Sequence, residues 1–267
     1  MLRFAQSDRL PYNGPDLNLQ TEINVRGKII ARTIITVLAG IALAGMIILA
    51  VGPRIFLPPL PPPPVIDAPR GDLPAGVVAF EERIPADSGP LPVGAGFLLE
   101  LPNGDVIGVT TAHSVGLGNF PPIEFVTVNG GTTVATFSQL YAPLGIPITG
   151  TILTHDYILM TPDSPLDPAI VLQPDPRGAP LPGERVLLYS GRGDPSVQPG
   201  TVESVGPDGV WVRMDRLFNP GGLSGSPVIS QHTGRVVGMI VAASPRIGAI
   251  VIGVNPIGVI VSKATSK

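Results

Sequence analysis

Gly221-Gly222-Leu223-Ser224-Gly225-Ser226-Pro227 is the stretch on which the reading of this chain turns. Ser224 sits between Gly222 and Gly225, residues that permit a sharp turn with unusual φ and let another backbone approach closely. Pro227 then opens an apolar run. Alone, the stretch would read equally well as an ordinary Gly/Ser turn. Two upstream segments change that. Thr110-Thr111-Ala112-His113 ends an apolar run with a histidine, and Asp156-Tyr157-Ile158-Leu159 begins one with an aspartate. Histidine, aspartate and serine, in that order and each at the edge of a strand-like segment, form the residue set of a nucleophilic triad on an all-β scaffold.

Each member answers a chemical need. A serine hydroxyl is a weak nucleophile at neutral pH and requires an adjacent base. Histidine has the pKa for that role. A carboxylate fixes the imidazole tautomer and stabilises the imidazolium. Backbone N–H groups must receive the developing oxyanion, and those of Gly222 and Ser224 are the candidates. His155 competes with His113 but directly precedes Asp156, and His232 falls in a hairpin turn. Asp163, Asp167, Asp175, Asp194, Asp208 and Asp215 also lie between His113 and Ser224. Only Asp156 immediately precedes an uninterrupted apolar strand. Asp163, Asp167 and Asp175 lie in a Pro-rich loop, and Asp194 and Asp208 in Gly/Pro turns, where solvated turn residues are expected. Asp215 is the main competitor. The chain order excludes an α/β-hydrolase elbow, which needs G-x-S-x-G and the order Ser, Asp, His. Position 226 is Ser, and His232 follows Ser224 too closely.

Composition sets the wider frame. The 267 residues include 33 Gly and 33 Pro, and only 14% are charged, which suits many short strands and tight turns. A net charge of −3 gives no electrostatic case for nucleic acid. With no Cys there is neither a disulfide framework nor a thiolate site, and three His make a multi-histidine zinc site unexpected. No cofactor is expected.

Residues 1–32 are polar and mixed in charge and read as a disordered tail. Residues 33–51, TIITVLAGIALAGMIILAV, carry no charge and match the length of a transmembrane helix. Arg26, Lys28 and Arg32 precede the span and only Arg54 closely follows it, so the N-terminus is expected in the cytoplasm and the remainder outside. A cleaved signal peptide is the rival reading, weakened by the long leading segment. Residues 57–64, LPPLPPPP, favour an extended polyproline helix within a linker at 52–74, a semi-rigid stalk rather than a recognition ligand. A domain is expected over 75–262, with a tail at 263–267. Its strands are read at 76–80, 96–101, 106–111, 123–128, 133–137, 148–153, 157–160, 169–172, 185–189, 201–205, 210–214, 227–230, 235–242 and 249–254, the pattern of a sandwich or barrel. Pro102-Asn103-Gly104-Asp105 and Gln231-His232-Thr233-Gly234 read as hairpin turns. Asn255-Pro256 would open a closing helix, with Asn as its cap.

The domain resembles the trypsin/chymotrypsin-like serine peptidases, nearest to the cysteine-free bacterial high-temperature-requirement type. Six segments carry the resemblance in order. Gly94-Ala95-Gly96-Phe97-Leu98 resembles G-[ST]-G-F. Val109-Thr110-Thr111-Ala112-His113 resembles L-T-x-x-H. Asp156-Tyr157-Ile158-Leu159 resembles D-[IL]-A-[LV]. Gly222-Leu223-Ser224-Gly225-Ser226-Pro227 resembles G-[DN]-S-G-G-P. Gly234-Arg235-Val236-Val237-Gly238-Met239 resembles G-x-V-[VI]-G. Gly253-Val254-Asn255-Pro256-Ile257 resembles the closing G-[FY]-[AG]-[IV]-P-[IL] turn.

The resemblance implies an all-β fold of two orthogonal antiparallel β-barrels, with His113 and Asp156 from the first and Ser224 from the second. It implies a specificity pocket with Phe218 at its floor and Val241-Ala242-Ala243 as a wall, suited to a small or medium apolar side chain. Leu223 replaces the acidic residue that pairs with a newly cut N-terminus in zymogen-type members, so no such activation is expected. Ser226 replaces a glycine, and the peptide-binding domain that often follows in the high-temperature-requirement type is not expected. The resulting expectation is a membrane-anchored extracytoplasmic serine endopeptidase acting on peptide or protein substrates. The alternative is a catalytically silent binding module on the same stalk.

Overall fold

Short runs of β-branched and aromatic residues, punctuated by glycine and proline, satisfy their backbone groups by pairing with one another. The computed structural model describes residues 65–116, 120–128, 131–190, 196–246 and 248–266. The expected tail at 1–32, the apolar span at 33–51 and the proline run at 57–64 lie outside the described residues. No helix among the described residues is long and apolar enough to cross a membrane.

The first seven strands are β1 (Phe80–Ile84), β2 (Leu91–Glu100), β3 (Val106–Thr110), β4 (Ile123–Val126), β5 (Thr133–Phe137), β6 (Gln139–Leu140) and β7 (Ile158–Thr161). They pair antiparallel in the order β5-β4-β1-β2-β3-β7-β6, and β8 (Val171–Leu172) adds to β2 in parallel, giving a nearly closed barrel. Then β9 (Arg185–Tyr189), β10 (Val197–Gly206), β11 (Gly209–Met214), β12 (Pro227–Ser230), β13 (Val236–Arg246) and β14 (Ala249–Pro256) close a second barrel, ordered β10-β11-β14-β13-β12-β9. Helix α1 (Ala112–Val115) follows β3, and α2 (Ile257–Thr265) follows β14. The all-β, two-barrel architecture is therefore as expected.

Packing fixes the barrels. Phe80, Phe125 and Phe137 are fully buried in the first, with Phe80 and Phe125 stacked at 6.2 Å and Phe125 and Phe137 edge-on at 4.7 Å. Gly96 leaves room for them, since a Cβ there would lie 2.1 Å from the Phe125 ring. Val212, Val237 and Ile252 belong to the core of the second. A third cluster joins Phe97, Leu99 and Val109 of the first barrel to Ile229, Val236 and Met239 of the second and Ile257 of α2. Each such large side chain contributes roughly 1.5–3 kcal/mol on leaving water, so the two barrels are held together by an apolar seam.

Four local expectations need correction. The strand expected at 169–172 is only Val171–Leu172, because Pro168–Ile170 forms a 3-10 turn. The strand expected at 76–80 begins instead at Phe80, because Phe80-Glu81-Glu82-Arg83-Ile84 pairs with β2 on one side and β4 on the other. The strand expected at 148–153 is reduced to one Thr149–Ile152 bridge. Its backbone donors go elsewhere: Ile148 N–H to Asp156 Oδ2 and Leu153 N–H to the Asp208 carbonyl. Asn255 does not cap a helix. It lies in β14 opposite Met239, and Pro256 is the N-cap of α2 without a side-chain hydrogen bond.

The end of the expected linker runs along the second barrel. Ile66 N–H donates to the Gly183 carbonyl and Gly71 N–H to that of Gln231, each at 2.9 Å. The Pro69 carbonyl accepts from His232 Nδ1 at 3.0 Å.

Candidate active site

The turn carrying Ser224 lies between β11 and β12 and is shaped by its glycines. Gly222 has φ +75° and Gly225 φ +95°, values that favour glycine. Gly225 is required twice over, because a Cβ there would sit 1.8 Å from the Ala95 carbonyl oxygen. Hydrogen bonds hold the turn from both sides. Leu223 N–H donates to Pro220, Ser226 N–H to Leu223 and Gly225 N–H to Ile240. The Ser224 carbonyl accepts from Ala95 N–H of β2 at 2.8 Å. Leu223 is buried in the second barrel's core, which gives its apolar side chain a structural place. Ser226 is fully buried, and its hydroxyl has no partner among the described residues.

His113 stands in α1. The Asp156 carboxylate receives His113 N–H on Oδ1 at 3.1 Å and Ile148 N–H on Oδ2 at 3.1 Å. Both oxygens thus act as acceptors, so His113 Nδ1, 2.6 Å from Oδ2, is the donor of that contact. His113 Nε2 is left to accept from the Ser224 hydroxyl, 2.9 Å away. Asp156 is fully buried, whereas the His113 side chain keeps 29% of its surface exposed. Asn255 reaches the Asp156 carbonyl at 3.4 Å, a contact from β14 across to the first barrel. Three residues separated by 43 and 111 positions therefore form one hydrogen-bonded chain.

The competing residues lie elsewhere. His155 and His232 are exposed. Asp215 pairs with Arg185 at 2.5 Å, Asp163 accepts from Ser138, and Asp167 caps a short 3-10 turn. Asp194 is outside the described residues. Asp175 is a correction: it is buried, not solvated. Arg177 binds it through Nε and Nη2 at 2.9 and 2.6 Å, and also reaches Glu184 at 3.0 and 2.9 Å. Burial pushes both carboxyls up, and Arg177 with neighbouring hydroxyl and N–H donors more than reverses this, leaving both below their ordinary values.

Around Ser224, neither the Gly222 nor the Ser224 N–H has an acceptor among the described residues. Phe218 and Ala243 pack against the second barrel's core, and Val241 is itself buried. β12 pairs with β13 only as far as Met239, so residues 242–246 of β13 pair with β14 alone. A cavity of about 780 Å3 lies beside Ile66, Arg70 and Arg177, and no residue of the Ser224 turn lines it. No three His, Asp or Glu side chains among the described residues are grouped to hold a metal.

One residue beside the site falls outside the candidates read from the sequence. Glu82 of β1 is fully buried behind the Ser224 turn. A Cβ on Gly94 would find Ser114 Oγ at 2.7 Å, Glu82 Oε2 at 2.8 Å and the Ser224 carbonyl at 3.1 Å. Thr110 Oγ1 lies 2.8 Å from Glu82 Oε2 and 2.8 Å from the Ala95 carbonyl, while Glu82 Oε1 has no partner. Burial pushes the Glu82 carboxyl up to about 8, against the lowering effect of the Thr110 hydrogen bond. The alternation Phe80, Glu82, Ile84 on one face of a strand was the available clue.

A family model described as a trypsin-like peptidase domain matches residues 94–239. Among solved structures, kallikrein-related peptidase 10 is similar at 19% identity and a TM-score of 0.50, covering 73% of this chain and 95% of its own. Neuropsin, a serine protease expressed in the limbic system of mouse brain, is similar at 13% identity and a TM-score of 0.47, covering 71% and 93%. No curated protein matches the chain.

Proposed function

The chain belongs to the trypsin-like peptidases, and from that premise we propose that it is a serine endopeptidase using His113, Asp156 and Ser224. The observation that carries this reading is the unbroken contact chain, 2.6 Å from Asp156 to His113 and 2.9 Å from His113 to Ser224. Ser224 Oγ attacks the scissile carbonyl carbon as its proton passes to His113 Nε2. Asp156 stabilises the imidazolium that forms. The N–H groups of Gly222 and Ser224 receive the oxyanion. Collapse breaks the C–N bond, and His113 returns the proton to the leaving amine. The acyl group remains on Ser224 until a water, deprotonated by His113, releases the acid.

The free side of β13 from Ala242 supports substrate binding as an added strand. Phe218 beside Ala243 supports an apolar pocket for a small or medium side chain. Buried Leu223 supports activity without pairing to a new N-terminus. A silent binding module would need no base within reach of Ser224, and the 2.9 Å contact favours the enzyme. The apolar span at 33–51 and its upstream basic residues support a single-pass membrane anchor with the peptidase domain outside the cytoplasm. The high-temperature-requirement type is the proposed branch.

Fluorogenic peptides with small or medium apolar residues before the cleaved bond test the activity. Hydrolysis by the wild type, falling to background in Ser224→Ala, is expected. Equal hydrolysis by both proteins overturns the reading.

A further inference from the structure

Thr110 has one hydroxyl proton and two oxygen neighbours. Its Oγ1 is 2.8 Å from the Ala95 carbonyl oxygen and 2.8 Å from Glu82 Oε2. A carbonyl only accepts, so the contact to Ala95 uses the Thr110 proton. The contact to Glu82 then needs a proton from the other side. Two oxygens at that distance with no proton between them repel. Both contacts are satisfied together only when Glu82 is a carboxylic acid donating its O–H to Thr110.

The surroundings agree. Glu82 is fully buried and no cation touches its carboxyl among the described residues. On its own strand, Glu81 and Arg83 pair with each other at 2.5 Å. Across the pair with β4, Glu82 faces Phe125, and Glu124 stands opposite Arg83. On β2 it faces Gly94, and the ionisable Glu100 lies at the far end of that strand. β3 offers Thr110, and α1 offers His113, which is committed to Asp156 and Ser224. An ionised Glu82 would keep Oε1 unpartnered in a site without counter-charge.

The acceptor at the end of this relay is Ala95. Its carbonyl accepts the hydrogen bond that Thr110 donates, and its N–H holds the Ser224 carbonyl at 2.8 Å. The Gly225 Cα packs against that same Ala95 carbonyl so closely that no Cβ fits.

We propose that Glu82 is a positioning residue that acts as a neutral acid, holding the Ser224 turn through Thr110 and Ala95 and releasing it on ionisation. This rests on the peptidase reading of Ser224. With Glu82 ionised, the Thr110 hydroxyl turns to the carboxylate, the stronger acceptor. The Ala95 carbonyl loses its donor, and the residue clamping Ser224 is freed to shift. The turn thereby carries an alkaline limit of its own. A carboxylic acid kept neutral by an apolar site so that it can donate a hydrogen bond is an established device in other enzymes.

Three readouts on the full-length chain test this. Glu82→Gln places an N–H donor where the acid O–H stood, but cannot ionise. The rate of labelling by a fluorophosphonate, measured against pH, is expected to show an alkaline loss in the wild type that Glu82→Gln lacks. Each profile normalised to its own value at pH 7, the wild-type to variant ratio should fall about tenfold by pH 9. Infrared difference spectra should show a protonated carboxyl carbonyl in the wild type at pH 6, absent from Glu82→Gln. With selective 15N-alanine, the Ala95 amide should titrate together with that carboxyl.

A flat rate ratio, an ionised Glu82 at pH 6, or a carboxyl that titrates without moving Ala95 overturns the proposal. If the wild type labels at no pH, the peptidase reading fails, while the infrared band and the Ala95 amide still decide the state and reach of Glu82. The same two wild-type measurements decide it if Glu82→Gln does not fold.

Discussion

The carbonyl of Ser224 accepts a hydrogen bond from the N–H of Ala95 at 2.8 Å, tying the turn of the second barrel to β2 of the first. The position of Ser224 relative to His113 is therefore set by both barrels. His113 and Asp156 sit on the same barrel as Ala95, so one backbone contact aligns the serine with the pair that addresses it.

Gly225→Ala strikes that alignment directly. The new Cβ would lie 1.8 Å from the Ala95 carbonyl oxygen, at φ +95°. The nearest atoms belong to the Ala95 backbone, which cannot rotate aside, so the turn must move. A loss of roughly 3 kcal/mol is expected from overpacking and the left-handed backbone together, with labelling of Ser224 by a fluorophosphonate reduced at least about a hundredfold. Urea midpoints and labelling rates measure the two effects.

Asp156→Asn keeps the side-chain shape but replaces one accepting oxygen with a donor facing His113 Nδ1 or a backbone N–H. The imidazole is then driven to the wrong tautomer for accepting the Ser224 proton. Peptide hydrolysis should fall by roughly 10⁴ in kcat with KM little changed. A fall of less than tenfold would mean that another carboxylate serves His113.

Glu82 gives stability a pH dependence of unusual sign. Burial lifts its carboxyl from 4.5 to about 8 in the folded protein. Between those values the folded state keeps a proton that the unfolded chain has released, so stability declines as pH rises through the window and levels off above it. The decline is worth about 5 kcal/mol at most. Urea midpoints at pH 5 and pH 8 should differ markedly in the wild type and much less in Glu82→Gln.

Arg177→Met leaves Asp175 and Glu184 buried with their counter-charge gone. Their side chains are 0% and 4% exposed. The substitution should cost roughly 3 kcal/mol near neutrality. Both carboxyls stand below their ordinary values in the folded wild type. That part of the stability is present above the unfolded values near 4 and lost as pH falls below them, so the gap between variant and wild type should close in acid. Denaturation curves at pH 7 and pH 3 check this.

Legibility in the sequence followed locality. β5, β9 and β12 fall where their apolar runs stand, because each run pairs over its whole length. Ser224, His113 and Asp156 were legible because each sits at the edge of such a run. β1 was not, since Glu81-Glu82-Arg83 breaks the apolar texture and only pairing with β2 and β4 makes it a strand. Glu82 was hidden for the same reason: a glutamate beside another glutamate and an arginine reads as surface until β2 and β4 flank its strand. Asp175 looked solvated because Pro176 and Gly178 mark a turn. The burial comes from Arg177, Glu184 and Thr233 closing over it, contacts up to 58 positions away.

The central claim is that Ser224 is a nucleophile activated by His113. Mass-spectrometric mapping of the fluorophosphonate adduct tests it most directly. A single adduct on Ser224 is expected in the wild type, absent from Ser224→Ala and strongly reduced in His113→Ala. An adduct on another residue, or undiminished modification of Ser224→Ala, would contradict the account.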